Sequence, residues 1–124
     1  THVEEGLARA ALEQTASSVN HIGTQHAGAL FTLGETASGG AMAGVFADRI
    51  LSVRPIAGEA QVRYTRLAKG LIVAEARVVG SRDMLIAALE RDKKVAFDVT
   101  VAMSDAEGKE VATMRVSWTV KAVT

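Results

Sequence analysis

The chain has 124 residues, 14 basic and 14 acidic side chains, no net charge, 48% hydrophobic residues and no cysteine. That length fits one domain, residues 1–124, and is too short for two separate cores. The balance excludes a disordered chain, a basic nucleic-acid footprint, a polybasic membrane patch, a disulfide scaffold, a thiolate metal site and a cysteine nucleophile.

Residues 7–15 (Leu7 to Thr15) hold helix-favouring types but are short and uncapped, so periodicity alone does not assign them. Residues 27–47 are predicted as a helix of roughly 30 Å at about 1.5 Å per residue. This segment is apolar nearly all round, so burial rather than a surface position is expected. It also holds Gly28, Gly34, Gly39, Gly40 and Gly44. An interior helical glycine costs about 1 kcal/mol relative to alanine, so close approach of another backbone or of a ligand is the expected compensation. The small residues and the central acid argue against a membrane span.

The second half reads as strands. Residues 50–56 suggest a short strand stopping near Pro55, and 60–68 alternate loosely, with Val62 and Tyr64 on one side. Residues 71–79, 95–103 and 111–121 alternate with period two and one polar face, the signature of antiparallel strands covered on one side. Met84, Leu85, Ala88 and Leu89 fall at helical spacing, which predicts a short amphipathic helix over Asp83–Arg91. Asp105 to Gly108 is a hairpin turn. One helix cannot cover such a sheet face, and open sheet edges invite pairing, so self-association as a two-fold dimer is expected.

Glu35 is the only charged residue between His26 and Asp48. On a helix it shares a stripe with Gly28, Thr32 or Phe31, Gly39 or Ser38, and Met42. A buried carboxylate would be disfavoured in its charged form, and such groups concentrate at functional sites. The bland alternative is an ion pair with Arg63, Arg66 or Arg77. Ahead of the helix lie Asn20, His21 and His26, and the free N–H groups of the first turn, near Ala27 and Gly28, suit an oxyanion. The helical rise separates those amides from Glu35 by roughly 12 Å. A Glu35 from a second copy of the chain would resolve that distance. His21, His26 and Glu35 fit no close-spaced metal motif, so no metal is expected.

The run Asn20, Gly23-Thr24, His26-Ala27-Gly28, Leu30, Leu33, Glu35, Gly39 resembles the signature of hotdog-fold acyl-CoA thioesterases, the PaaI-like branch. Asn20 and Glu35 lie fifteen apart and His26 and Glu35 nine apart, as in that family. Tyr64, Gly70, Ala74 and Gly108 resemble its later strands. The resemblance implies an α+β hotdog fold, one long central helix wrapped by a curved antiparallel sheet of about five to six strands, with residues 7–15 as its first strand. It implies a homodimer or a dimer of dimers whose sites lie between subunits. Carried over by position, Glu35 is the general base or nucleophile. The amide of Ala27, together with that of Gly28, polarises the thioester carbonyl. Asn20 positions water, and His26 supports the loop or the leaving sulfur. Thr32 and Gly39 flank the acid on the substrate side. No separate cofactor is implied, since CoA is part of the substrate.

Two departures stand out. Ala27 replaces the usual first Gly after the His, and Gly39 replaces a Thr or Ser one turn past the acid, with Ser38 beside it. Arg82, Arg91, Lys93 and Lys94 gather around the short linking helix and offer charge for CoA phosphates, Arg82 and Lys94 being the chosen contacts; a solvated surface explains them as well. Two other functions fit the same pattern. One is a non-catalytic acyl-CoA-binding module. The other is a dehydratase or hydratase using His21 and Glu35, fourteen residues apart, though the Pro-containing surroundings typical of those enzymes are absent. Acyl-CoA is the expected partner, with neither nucleic acid nor membrane. The chain begins at Thr1 rather than Met, so part of its native N-terminus is expected to be missing, and a cytoplasmic location is the default.

Overall fold

The computed structural model describes residues 2–4, 6–12 and 27–123. Six antiparallel strands form one sheet: β1 (His2–Glu4), β2 (Leu7–Leu12), β3 (Val53–Tyr64), β4 (Ile72–Val78), β5 (Lys94–Ser104) and β6 (Glu110–Ala122). Their order across the sheet is β1-β2-β4-β5-β6-β3. The long helix α1 (Ala27–Val45) lies over β2, β4 and β5. A shorter helix, α2 (Arg82–Asp92), joins β4 to β5. The fold is the expected α+β hotdog architecture, with a helix held in a curled sheet.

The period-two reading of the second half holds residue by residue. Val95, Phe97, Val99, Val101 and Met103 of β5 are buried against α1, and β4 does the same with Ile72, Ala74 and Ala76. The α1 residues facing them include Leu30, Leu33, Ala37, Ala41, Met42 and Val45. Burying each of the larger side chains is worth about 1.5–3 kcal/mol, so this layer dominates the stability of the domain. The alanines of β4 let the helix lie close to the sheet. At Gly34 a Cβ would fall 3.0 Å from Met114 Sδ and 3.3 Å from Met103 Cε, so this glycine is kept by close contact with β5 and β6.

Three expectations change. The segment 50–56 is not a strand ending at Pro55: Ala47–Ser52 form a short 3-10 turn, and β3 runs through Pro55 to Tyr64. Proline is tolerated because β3 is an edge strand, with only β6 beside it among the described residues, so a missing N–H can face the open side. A bulge at Gly58, between Ala57 and Glu59, bends that edge. In α2, Ile86 rather than Met84 joins Leu85 and Leu89 in the core, and Met84 is exposed. Finally, α1 is not buried all round. Ala27, Gly28, Thr32, Glu35 and Thr36 form an exposed stripe along one side. The alternation of small residues hides this one-sidedness in the sequence, because alanine and glycine read as apolar on both faces.

Local chemistry fixes the remaining ends. Ser81 caps α2 by accepting from the Met84 N–H at 3.2 Å, and Lys93 closes it in a left-handed conformation with its N–H on the Leu89 carbonyl. In the β5–β6 hairpin, Asp105 Oδ1 accepts from the N–H groups of Glu107 and Lys109 at 2.9 and 3.0 Å. Gly108 supplies the positive φ of 82° that the turn demands.

Candidate functional site

The stripe that carries Glu35 begins at the first turn of α1. The first four N–H groups of a helix have no acceptor within it. Here the first turn is also tied to the sheet. Tyr64, the last residue of β3, donates its hydroxyl to the Ala27 carbonyl at 3.0 Å. Thr32 donates its own to the Gly28 carbonyl at 3.1 Å, one turn back along the helix. Ala27 and Gly28 are exposed, and a Cβ at Gly28 would meet nothing within 4 Å. The same is true of Gly39, beyond Glu35 on the same side. Close packing among the described residues therefore explains Gly34 but neither Gly28 nor Gly39.

Glu35 is exposed in the single chain, contrary to the burial expected for it, and no arginine pairs with it among the described residues. The helix is continuous from Ala27 to Val45, so the rise of about 1.5 Å per residue keeps Glu35 roughly 12 Å from the Ala27 and Gly28 amides. Asn20, His21 and His26 lie outside the described residues.

Ser38, on the flank of this stripe, is completely buried and accepts from Trp118 Nε1 at 2.7 Å. Its hydroxyl thus links α1 to β6 and is not turned toward Glu35's open side. The sequence placed Trp118 on the apolar face of its strand. It gave no sign of this partner, which is 80 residues away. The Tyr64–Ala27 bond escaped for the same reason: nothing in local spacing joins the end of one strand to the start of a helix.

The basic residues around α2 divide by role. Arg82 donates to the Val45 carbonyl at 3.1 Å and to Asp48 Oδ2 at 2.9 Å. It thereby caps the C-terminal end of α1, where positive charge is favoured, and is committed to the fold. Asp48 also meets Arg49, whose Nη1 reaches Glu90 at 2.9 Å. The Arg49 hydrogen bond is the largest effect and, with the Arg82 contact, holds the Asp48 carboxyl below the usual carboxylate range against an opposing desolvation penalty. Arg91 pairs with Asp92 at 3.1 Å. Lys94 stands at the start of β5 beside a hollow of about 390 Å³ bounded by Ala88, Asp92 and Thr119.

A hollow of about 650 Å³ lies on the outer face of the sheet, away from α1. Glu75 there is shared by Arg9 and Arg77, each at 2.8 Å, and Asp98 beside it meets Arg115 at 3.0 Å, while Arg63 also lines the hollow. The carboxylates in and beside that trough are held by arginines, so it offers no free general base, and the helix stripe is the better candidate. Among the described residues, no group of three or more His, Cys, Asp or Glu side chains could hold a metal ion, and no helix is long and apolar enough to cross a membrane.

Residues 1–120 match the family described as a domain of unknown function, DUF4442. No curated protein matches. Among solved structures, a Pseudomonas aeruginosa protein described as a probable thioesterase of unknown function is 30% identical. The alignment covers 98% of this chain and 80% of that one, with a TM-score of 0.83. The Escherichia coli PaaI protein of the phenylacetic acid degradation operon is 20% identical, with 95% and 79% covered and a TM-score of 0.71. A Streptococcus mutans protein solved with acetyl-CoA is also 20% identical, with 98% and 86% covered and a TM-score of 0.75. With the six-stranded sheet and its embedded helix, these likenesses make the chain a member of the hotdog-fold thioesterase family, within the group described as DUF4442.

Proposed function

We propose that this protein is an acyl-CoA thioesterase that works as a homodimer or a dimer of dimers. The observation that carries this reading is the exposed stripe of α1. It presents first-turn amides, a carboxylate and two glycines that no contact among the described residues explains. That is a helix face shaped for something other than its own core. The acetyl-CoA seen in the S. mutans neighbour, and the probable thioesterase activity given for the 30% identical P. aeruginosa protein, supply the ligand class.

The chemistry follows from what must change in thioester hydrolysis. Water, or the carboxylate itself, attacks the carbonyl carbon, and the oxygen gains negative charge. The C–S bond then breaks, and the thiolate of CoA leaves and takes up a proton. Attack by water gives the carboxylic acid directly, whereas attack by the carboxylate gives a mixed anhydride that water then cleaves to the carboxylic acid and free Glu35. The Ala27 and Gly28 amides suit the developing oxyanion, and aimed amide dipoles of this kind contribute a few kcal/mol. Glu35 suits the role of general base, removing a proton from water, or of nucleophile. Asn20 would hold the water and His26 the loop or sulfur. Thr32 and Gly39 would border the acyl group, and Lys94 would meet CoA phosphate. The 12 Å between amides and acid within one chain calls for Glu35 of one subunit to face the first turn of the other. The open edge of β3, twelve residues long, offers a place for two sheets to join.

A hydrolysis screen over short, long and aromatic acyl-CoA esters, with Glu35→Ala as control, tests the reading. Turnover of at least one ester is expected, with kcat falling about 100-fold or more in the variant while CoA-ester binding persists. Undiminished hydrolysis by Glu35→Ala would remove the carboxylate from the mechanism.

A further inference from the structure

We infer that Tyr64 is a positioning residue for the Gly28 amide; this deepens the hydrolase reading and rests on it. The Ala27 carbonyl, which accepts the Tyr64 hydroxyl at 3.0 Å, and the Gly28 N–H are opposite ends of one peptide group. The peptide is planar, so holding its oxygen sets the direction of its N–H. A hydrogen bond received at the oxygen also polarises the group and makes the N–H a stronger donor, by about 10–30%. Tyr64 therefore acts twice on the same amide, through direction and through strength.

The holder is itself fixed. Tyr64 pairs with the fully buried Ala112, and the next two N–H groups, of Thr65 and Arg66, both donate to the Val111 carbonyl at 2.9 and 3.3 Å. The phenol thus reaches the helix from a pinned strand end. Nor does the fold require the bond. Tyr64 is 44% exposed, so water could satisfy its hydroxyl, and the Ala27 carbonyl is already placed to accept the ordinary helical bond four residues on. A contact that the fold can do without, made to the peptide that carries the Gly28 N–H, has its explanation in what that N–H binds.

Tyr64→Phe removes only the hydroxyl, and the half-exposed ring stays in place. Two readouts decide the matter. The first is kcat and KM on the best acyl-CoA ester. The second is the Gly28 amide resonance in a 15N-labelled protein, followed during titration with acetonyl-CoA, a ketone that cannot be hydrolysed. The expected result is a kcat about tenfold lower, the rate equivalent of one hydrogen bond, with KM changed less than about twofold. The Gly28 amide should also move upfield and respond to the ketone less than half as strongly. An unchanged Gly28 response overturns the inference, and so does an active enzyme whose kcat ignores the substitution. If the wild-type protein hydrolyses no ester, the hydrolase reading fails by itself. The Gly28 response to the ketone then decides the role of Tyr64 alone: a weakened response supports it and an unchanged one overturns it.

Discussion

The glycines of α1 allow one substitution to be read against two surroundings. Gly34→Ala and Gly39→Ala add the same methyl group to the same helix, and each gains about 1 kcal/mol of helix propensity. At Gly39 the new Cβ meets nothing within 4 Å, so that gain should appear nearly whole. At Gly34 it would fall 3.0 and 3.1 Å from Met114 Sδ and Cε, and 3.3 Å from Met103 Cε, in the most deeply buried layer of the domain. Overpacking of this kind costs about 1–3 kcal/mol, toward the lower end here because methionine ends can shift. The net effect at Gly34 is therefore between about 0 and −1 kcal/mol, and the two variants should differ by about 1–2 kcal/mol. Urea unfolding at one protein concentration reads this difference directly. With an m-value of about 1.5 kcal/mol/M, typical of small domains, the midpoints should separate by about 0.7–1.3 M, with Gly39→Ala the higher. A Gly34→Ala midpoint equal to or above that of Gly39→Ala would refute the packing argument.

The buried Ser38 and the partly buried Trp118 should behave as one unit. Ser38→Ala and Trp118→Phe each leave a polar partner unmet and should each cost about 1–3 kcal/mol, whereas the double variant should cost less than their sum. Strict additivity in a double-mutant cycle measured by thermal unfolding would dismiss the bond. The Asp48 cluster sets an acid limit. The folded protein holds the Asp48 carboxyl below its unfolded value through Arg49 and Arg82, so the stability it adds is present above the usual carboxylate range. That stability is lost as pH falls through the depressed value. Asp48→Asn should lower the melting temperature at pH 7 and flatten its decline toward pH 3; parallel wild-type and variant curves would contradict this.

How much of this was legible in the sequence depended on where each residue's partner lies. Strands β4 to β6 could be read from alternation because one sheet face is buried and the other wet, a contrast that Val99 beside Thr100 carries in the sequence itself. The 3-10 turn and the full run of β3 could not. Proline and a bulge at Gly58 look like strand breakers until the strand is known to lie at an edge. The spacing of Glu35 from the first-turn amides was readable as helical rise. Its exposure was not, since the residues around it are too small to reveal which side of α1 faces the sheet. Tyr64 and Arg82 were the least readable. Each acts on a backbone carbonyl at an end of α1, 37 residues away in sequence, and only the closure of the sheet brings them there.

The exposure of Glu35 leads to the last prediction. A carboxylate in open water gains nothing over free carboxylate as a base. Hydrogen-bond donors facing bulk solvent are likewise weakened by it. Neither half of the proposed machinery could then act in one isolated chain, and roughly 12 Å of helix separates the two. Activity must therefore depend on a second copy that brings the halves together and excludes water. Specific activity should be constant at high protein concentration and fall on dilution, with the same midpoint as the dissociation followed by sedimentation velocity. Addition of Glu35→Ala protein in excess to a dilute active sample should give mixed dimers. These keep one intact pairing of acid and amides for each wild-type chain, as the wild-type dimer does, so activity per wild-type chain should not fall and should recover what dilution had removed. Full specific activity in a species sedimenting as a single chain would remove the need for the second subunit, and with it the division of roles between Glu35 and the first turn of α1.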